Sequence, residues 1–230
     1  MEVLVVGLSL DWFADRHIGK DVWVVGSDAS LSGFGPEFFV GRTVIGVNTV
    51  CRLVPVTYTV TKADWNHKTG WLDEQVAWRP DIPTVCSRHE QGIYAYPQVT
   101  TPGVTLFDHI DNPSHAFSAQ AHIPTDGKLL VSQTTGGTAL HLAALMGART
   151  VFVIGMSGGT FGGRRNGDGY VSPGATPTSN GKTVEIGAEQ MQAIADRLTG
   201  LYGCEFVSVL PWANLRLGGT RFESPFGRLN

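Results

Sequence analysis

The sequence predicts a single α/β domain with a mostly parallel β-sheet, helices on both faces and a long glycine-rich lid loop. Short apolar segments recur along the 230 residues, and most are continuously apolar, as in strands buried on both faces of a parallel sheet. Two helical patterns are each followed by such a strand. Glycine accounts for 29 residues and charged residues for only 16%, which favours tight turns and sites lined by backbone atoms.

Eight segments have the length and composition of strands, being rich in Val, Ile, Phe and Tyr. They are Glu2–Gly7, Val22–Gly26, Thr43–Asn48, Thr57–Asp64, Pro83–Arg88, Leu129–Ser132, Thr150–Gly155 and Glu205–Leu210. Apolar residues at helical spacing predict helices over Gly137–Ala148 and Val184–Tyr202. Because Leu129–Ser132, the first helix and Thr150–Gly155 follow one another, we expect them to form a βαβ crossover unit.

A long loop is expected after the strand Thr150–Gly155. Residues 155–187 contain ten glycines in thirty-three positions, which no packed element of that length tolerates. Loops of this length in compact domains are usually functional, so we interpret residues 156–183 as a lid of the single domain 1–230. Residues 66–112 are mixed in character, and the pattern assigns only the strand Pro83–Arg88 within them.

Composition argues against several classes of function. A net charge of −3 disfavours general binding of duplex DNA, although it leaves a local basic cleft open. Cys51, Cys86 and Cys204 lack metal-ligand spacing, so neither a disulfide scaffold nor a metal site is expected. No apolar run reaches the 18 or so residues of a membrane span, and no signal peptide is recognised. We therefore expect a cytoplasmic protein without stable membrane insertion; a homo-oligomer remains open.

Two glycine-containing strand ends are candidate ligand sites. The first comprises Gly26, Ser27, Asp28 and Ser30, where backbone and hydroxyl donors follow a buried strand. The second follows Leu129–Ser132 and opens the first helix, where free amides and hydroxyls would hold a phosphate; its residues are Thr135, Gly136, Gly137 and Thr138. An ordinary turn at the first and plain capping with close helix packing at the second are the alternatives. Neither matches G-x-G-x-x-G or G-x-x-x-x-G-K-[ST].

Further candidates lie at other strand ends and in the lid. Asn48 and Asp64 end two predicted strands and would face the ligand crevice, unless they only form turns. His67 follows Asp64 closely enough to share its site. In the glycine-rich loop, paired arginines would clamp a phosphate and two further residues would act in catalysis, unless the loop is simply solvated surface. These loop residues are Arg164, Arg165, Asp168 and Tyr170.

Together these motifs resemble a superfamily that includes bacterial lipooligosaccharide sialyltransferases and 6-hydroxymethylpterin pyrophosphokinase-like proteins. The family pattern has a G-x-G-P-S-L opening and a T-S-G helix followed by a strand ending in G-x-D. The resemblance extends from about Val22 to Leu215. It is carried by Gly26–Leu31, the strand ends at Asn48 and Asp64, the block Thr135–Gly155, and Leu210–Leu215.

The resemblance implies a Rossmann-like sheet that holds a nucleotide or nucleotide-sugar. Gly26, Ser27, Asp28, Ser30 and Asn48 would then contact the donor nucleotide. Its phosphate or sugar side would lie against Thr135, Gly136 and Gly137, and Tyr170 would hold the leaving phosphate. Two departures matter: Ser157 stands where the family strand has Asp, and no histidine follows His141, which we interpret as a packed residue.

The favoured interpretation is a nucleotide-dependent transferase, a glycosyltransferase with a nucleotide-sugar donor and an acceptor that the sequence does not define. Asp64, His67 or Asp168 would deprotonate the acceptor. One alternative is an ATP-dependent pyrophosphokinase-like enzyme, which would require Mg²⁺. The other is a non-catalytic protein that only binds a nucleotide.

Overall fold

The computed structural model describes residues 8–62, 70–88, 99–108, 123, 125–131, 134–156 and 181–209, with only the backbone over 181–190. These described ranges contain seven strands: β1 Asp21–Val25, β2 Val44–Val47, β3 Tyr58–Thr61, β4 Thr84–Ser87, β5 Val104–Phe107, β6 Thr150–Ile154 and β7 Glu205–Ser208. The α-helices are α1 Trp71–Trp78, α2 Thr135–Leu145 and α3 Gly181–Tyr202. Short 3-10 helices cover Leu10–Trp12, Ala29–Gly33, Pro36–Phe39 and Asn48–Arg52.

The strands form one parallel sheet in the order β5-β4-β3-β2-β1-β6-β7, which confirms the predicted fold class. From β1 the chain builds outward through β5, then returns to place β6 on the other side of β1. β1 is therefore central, with Trp23 opposite both Val44 and Phe152. Because the direction of strand addition reverses between β1 and β6, a crevice is expected outside their carboxyl ends.

One face of the sheet packs against α2 and α3. Val22, Val24 and Val60 on this face share a core cluster with Leu140 of α2 and Leu198 of α3. Every residue of α2 from Thr135 to Ala144 is buried, because the helix is enclosed by the sheet, by α3 and by the chain segments beside it. A helix in such a position needs apolar or small residues all round, which explains its lack of a polar face.

The opposite face is covered by 3-10 helices and by α1. Trp23 stacks on Phe152 with ring centroids 4.4 Å apart, and Phe39 joins the same cluster. Further along the sheet, Leu72 of α1 packs against Cys86 of β4. Helices therefore lie on both faces, as the sequence predicts. Within the described residues, no helix is both long enough and apolar enough to cross a membrane.

The prediction that Leu129–Ser132 forms a strand is wrong. Leu129 and Leu130 are buried, but residues 129–131 belong to no strand, and Ser132 lies outside the described residues. The backbone of Leu130 is bonded by side chains of α2: its N–H donates to His141 Nδ1 (2.9 Å), and its carbonyl accepts from Thr138 Oγ1 (2.8 Å). With both backbone groups satisfied in this way, the segment covers α2 instead of joining the sheet.

Other element boundaries differ less. α2 begins at Thr135 and ends at Leu145, and α3 begins at Gly181, so the predicted lid boundary at residue 183 falls inside α3. Two elements within residues 66–112, α1 and β5, were not predicted. Both are short, and the four-residue run of β5 is too brief to show a period. The strand prediction Glu2–Gly7 lies outside the described residues.

Substitution of Gly155, which directly follows β6, tests whether the close backbone contact at the centre of the sheet contributes to stability. Its φ is +68°, and an added Cβ would lie 2.2 Å from the Gly26 carbonyl oxygen. We expect Gly155→Ala to lower the free energy of unfolding by about 2 kcal/mol or more, because backbone strain and the clash add. Urea unfolding would measure it.

Gly200→Ala in α3 is the matched control, since a Cβ at Gly200 meets nothing within 4 Å. It should stabilise the protein by about 0.5–1 kcal/mol, because alanine is the better helix former. Equal effects of the two substitutions would contradict the assigned role of Gly155.

Candidate functional site

The loops that follow β1 and β6 meet at the carboxyl edge of the sheet, where the strand order reverses. The Gly26 N–H donates to the Ile154 carbonyl (2.8 Å), and the Asp28 N–H donates to the Gly155 carbonyl (2.9 Å). These bonds continue the β1–β6 ladder beyond the strands. The first predicted motif therefore lies at the edge where open α/β sheets typically bind their ligands.

Gly26 lies close to the other loop because it lacks a side chain. An added Cβ would be 2.3 Å from Met156 Cγ and 2.4 Å from the Gly155 carbonyl oxygen. Glycine is required at this point by packing between the two loops. The backbone of the Gly26 loop is consequently held in one position relative to β6.

Asp28 and Ser30 organise the turn after β1. Asp28 caps the 3-10 helix Ala29–Gly33: its carboxylate accepts a hydrogen bond from the Ser30 N–H (2.9 Å) and another from the Ser30 hydroxyl. Ser30 is buried, whereas Ser27 and Asp28 are half-buried. The geometry shows that Asp28 and Ser30 shape this turn, and contact of the four motif residues with a ligand stays a prediction.

Asn48 joins the carboxyl ends of β2 and β3. Its φ is +55°, a left-handed conformation that asparagine tolerates better than most residues. Its Oδ1 accepts a hydrogen bond from Thr61 Oγ1 (3.0 Å), which fixes the side-chain amide. Within the described part of the chain, Asn48 Nδ2 has no hydrogen-bond partner, so this amide still has donors to offer a ligand.

The amino-terminal turn of α2 is tightly packed. A Cβ at Gly136 would lie 2.9 Å from Met156 Sδ and 3.1 Å from Met191 Sδ. Gly136 thus allows two methionine side chains to approach the helix, and the Thr138 hydroxyl is used by the Leu130 carbonyl. These two residues fit the close-packing part of the alternative interpretation, and the structure shows no side-chain capping bond at the start of α2. Phosphate binding by Thr135, Gly136, Gly137 and Thr138 stays a prediction.

Met156 connects the two predicted motifs. It lies against the Gly26 position and against the Gly136 position, so the β1 loop and the start of α2 share one neighbour. The structure therefore brings the two glycine motifs to the same corner of the sheet. Nothing in the sequence pattern identifies Met156, because a single apolar residue after a strand has no distinctive spacing.

The described histidines do not lie where the loops after β1 and β6 meet. His17 Nε2 is 3.0 Å from the hydroxyl of Tyr58, which begins β3 at the opposite edge of the sheet; burial and nearby Arg16 lower the His17 pKa. His141 is fully buried in α2, and its Nε2 is 2.9 Å from the Tyr202 hydroxyl. Burial lowers the pKa of His141 to about 4. Both therefore act in packing, as expected for His141.

Several predicted site residues lie outside the described residues, namely Asp64, His67, Arg164, Arg165, Asp168 and Tyr170. In the ranges that the structure does describe, no three His, Cys, Asp or Glu side chains are grouped as a metal site requires.

Sequence reasoning missed Thr61 and Lys62 at the end of β3. Thr61 is fully buried and holds Asn48, and Lys62 is only 7% exposed. The sequence feature that could have identified them is the polar end of Tyr58-Thr-Val-Thr-Lys62, because a lysine directly follows a segment with the pattern of a buried strand.

The fold and this corner define a doubly wound α/β protein in which the order of strand addition reverses between β1 and β6. No family model and no curated protein matches the chain. A crystal structure of the α-2,3-sialyltransferase from Campylobacter jejuni in its apo form is similar at 10% identity with a TM-score of 0.43. The match covers 88% of this chain and 81% of that one. Similarity at this level does not establish a shared activity.

His141 predicts a pH dependence of stability. Its pKa of about 4 in the folded protein lies below its ordinary 6.5, so the unfolded chain takes up the proton first. Neutral His141 therefore adds to the free energy of unfolding above about pH 6.5. This part of the stability, on the order of 3 kcal/mol, is lost as the pH falls toward 4. Urea unfolding at several pH values should show His141→Gln with a flatter profile than wild type in this window.

His17→Gln serves as the control, because His17 is partly exposed and its pKa is lowered without a large shift. It should leave most of the pH dependence in place. An unchanged profile in His141→Gln would show that another group causes acid destabilisation.

Proposed function

We propose that this chain is a nucleotide-dependent transferase that moves a sugar from a nucleotide-sugar donor to an acceptor. The observation that carries the proposal is the convergence of the Gly26–Ser30 loop, the start of α2 and Asn48 on one edge of a parallel sheet. This edge contains the point of strand reversal between β1 and β6. Nucleotides bind at such edges because backbone donors and helix amino termini face the crevice there.

Each described residue has a distinct part in the proposed site. The backbone of Gly26 and Ser27 would approach the donor nucleotide closely, on a turn that Asp28 and Ser30 hold in shape. Asn48 Nδ2 would donate to the ribose or the base. The first amides of α2 would face the donor phosphates, at the positive end of the helix dipole.

The proposed reaction forms a bond between the acceptor oxygen and the anomeric carbon of the sugar, and breaks the bond from that carbon to the donor phosphate oxygen. A base among Asp64, His67 and Asp168 would take the acceptor proton. Arg164 and Arg165 would neutralise the phosphate that leaves, and Tyr170 would donate a hydrogen bond to it.

A second candidate is a protein that binds the nucleotide without turnover. The observation that favours it is that both histidines of the described ranges have packing roles and neither reaches the crevice. The two candidates share the same binding site. They differ in whether a base reaches the acceptor.

A ligand panel tests the proposed function. Nucleotides, nucleotide-sugars, and ATP with Mg²⁺ would each be added during thermal unfolding, and a ligand at about 100 times its Kd should stabilise the protein by about 2.7 kcal/mol. We expect the largest shift with a nucleotide-sugar and release of the nucleotide when an acceptor panel is added. A shift without turnover supports the second candidate. A response to ATP with Mg²⁺ alone supports a pyrophosphokinase-like enzyme, and no shift with any nucleotide contradicts all three.

Asn48→Gly tests the role of the Asn48 side chain while the backbone conformation at this position is kept. Glycine adopts the same positive φ without strain, so the backbone should keep its conformation, while the amide donors and the acceptor for the Thr61 hydroxyl are both lost. We expect the Kd of the donor to rise about tenfold, the value of one hydrogen bond to a ligand. Isothermal titration calorimetry measures it.

The matched control is Asp15→Gly. Asp15 also has a positive φ (+57°), but it lies beside the carboxyl terminus of α2, where its N–H donates to the Leu145 carbonyl. This variant should bind the donor as wild type does. Equal weakening in both variants would indicate a general effect on the fold, and no weakening in Asn48→Gly would remove Asn48 from the site.

A further inference from the structure

Buried polar groups interrupt the apolar layer on the face of the sheet opposite α2. The apolar side chains of this face form two separate clusters, one around Trp23 and one around Leu72 of α1. β3 lies between the strands of the two clusters. It contributes Thr59 and Thr61 to this face, because Val60 between them belongs to the cluster on the other face. Both threonines are fully buried, although strands covered on both faces normally carry apolar residues.

Polar groups from two other elements lie close to Thr59. Cys51 belongs to the 3-10 helix Asn48–Arg52, and its thiol donates a hydrogen bond to Oε1 of Gln75 in α1 (2.6 Å). Burial raises the pKa of the Cys51 thiol, and the neighbouring Thr59 hydroxyl partly opposes this shift of the pKa. The thiol therefore keeps the proton that it donates. Thr59, Cys51 and Gln75 bring together β3, the 3-10 helix and α1, and we call these three residues the β3 polar cluster.

Two atoms of the β3 polar cluster have no hydrogen-bond partner within the protein. They are Thr59 Oγ1 and Gln75 Nε2, and neither lies in bonding geometry with a protein group. Both side chains are at most 1% exposed, so bulk solvent does not reach them. An unbonded buried polar group is costly, and proteins bond nearly all such groups, with ordered water where no protein group is in reach. The two atoms therefore indicate an occupant between β3 and α1.

The chemistry of the β3 polar cluster defines what the occupant must be. The amide nitrogen of Gln75 only donates, whereas the hydroxyl of Thr59 both donates and accepts, so the occupant must accept at least one hydrogen bond. The three side chains are uncharged, which disfavours an ion in this buried place. All three are closed to solvent, which disfavours a large solute. Water is small and neutral, and buried waters typically make about three hydrogen bonds to groups of this kind.

We propose that the β3 polar cluster is the binding site of an internal water molecule. The water accepts a hydrogen bond from Gln75 Nε2 and donates one to Thr59 Oγ1. It joins β3 to α1 and, because Gln75 also holds the thiol of Cys51, to the 3-10 helix that begins at Asn48. Its role is to hold this helix and α1 against the polar part of the sheet, and this role is independent of the ligand that the protein binds.

Thr59→Val tests the proposal on the full chain, because valine has nearly the shape of threonine without the hydroxyl. If water is bound, a hydrogen bond is lost, and the unfolding equilibrium constant from urea titration should rise about fivefold. If the hydroxyl has no partner at all, its removal should lower that constant instead. Magnetic relaxation dispersion of the water oxygen counts long-lived internal waters, and we expect fewer in Thr59→Val than in wild type. Thr59→Ser, which keeps the hydroxyl, should retain the wild-type count.

Thr84→Val is the matched control. Thr84 is buried in β4 in register with Thr59, but its hydroxyl donates to the Ile82 carbonyl (3.2 Å), a partner within the protein. Its replacement should destabilise the protein and leave the number of internal waters unchanged. If Thr59→Val does not fold, Gln75→Met removes the other unbonded group and is judged by the same water count. A Thr59→Val variant that is more stable than wild type, or an unchanged water count in the variant tested, would overturn the proposal.

Discussion

The backbone contact between Gly26 and Gly155 is the constraint on which the centre of this protein depends. It joins the first strand of the sheet to a strand that the chain adds more than a hundred residues later. Neither position has room for a Cβ, since one would meet a carbonyl oxygen of the other loop at 2.4 Å or less. Two strands that meet so closely bring their following loops together, and this contact forms one wall of the candidate site.

Helix α2 is the second organising element, because three different parts of the structure pack against it or bond to it. Thr138 and His141 bond to the backbone of Leu130, Gly136 admits the sulfur atoms of two methionines, and Leu140 packs into the sheet. A helix that is enclosed in this way has a fixed position and a fixed orientation. Its amino terminus can consequently act as a stationary part of a binding site, which a surface helix held on one side would do less well.

The candidate site combines groups of two kinds. Asp28, Ser30 and Thr61 have their side-chain partners within the protein and hold the loops in shape. Asn48 Nδ2 has no hydrogen-bond partner within the described residues and would be free to donate to a ligand. Such a division is typical of sites in which a rigid frame positions a small number of binding groups.

The amino-acid pattern by itself determined the fold class, six of the strands and both long helices, because continuous apolar runs and helical spacing are local properties of the chain. It also located Gly26 and Asn48 at strand ends, since parallel strands share one carboxyl edge. Tertiary structure alone decided that Leu129–Val131 is no strand, that Gly136 packs against Met156, and that Lys62 is buried. These outcomes depend on which partner satisfies a backbone group or covers a side chain, and such partners are distant in sequence and carry no periodic signal.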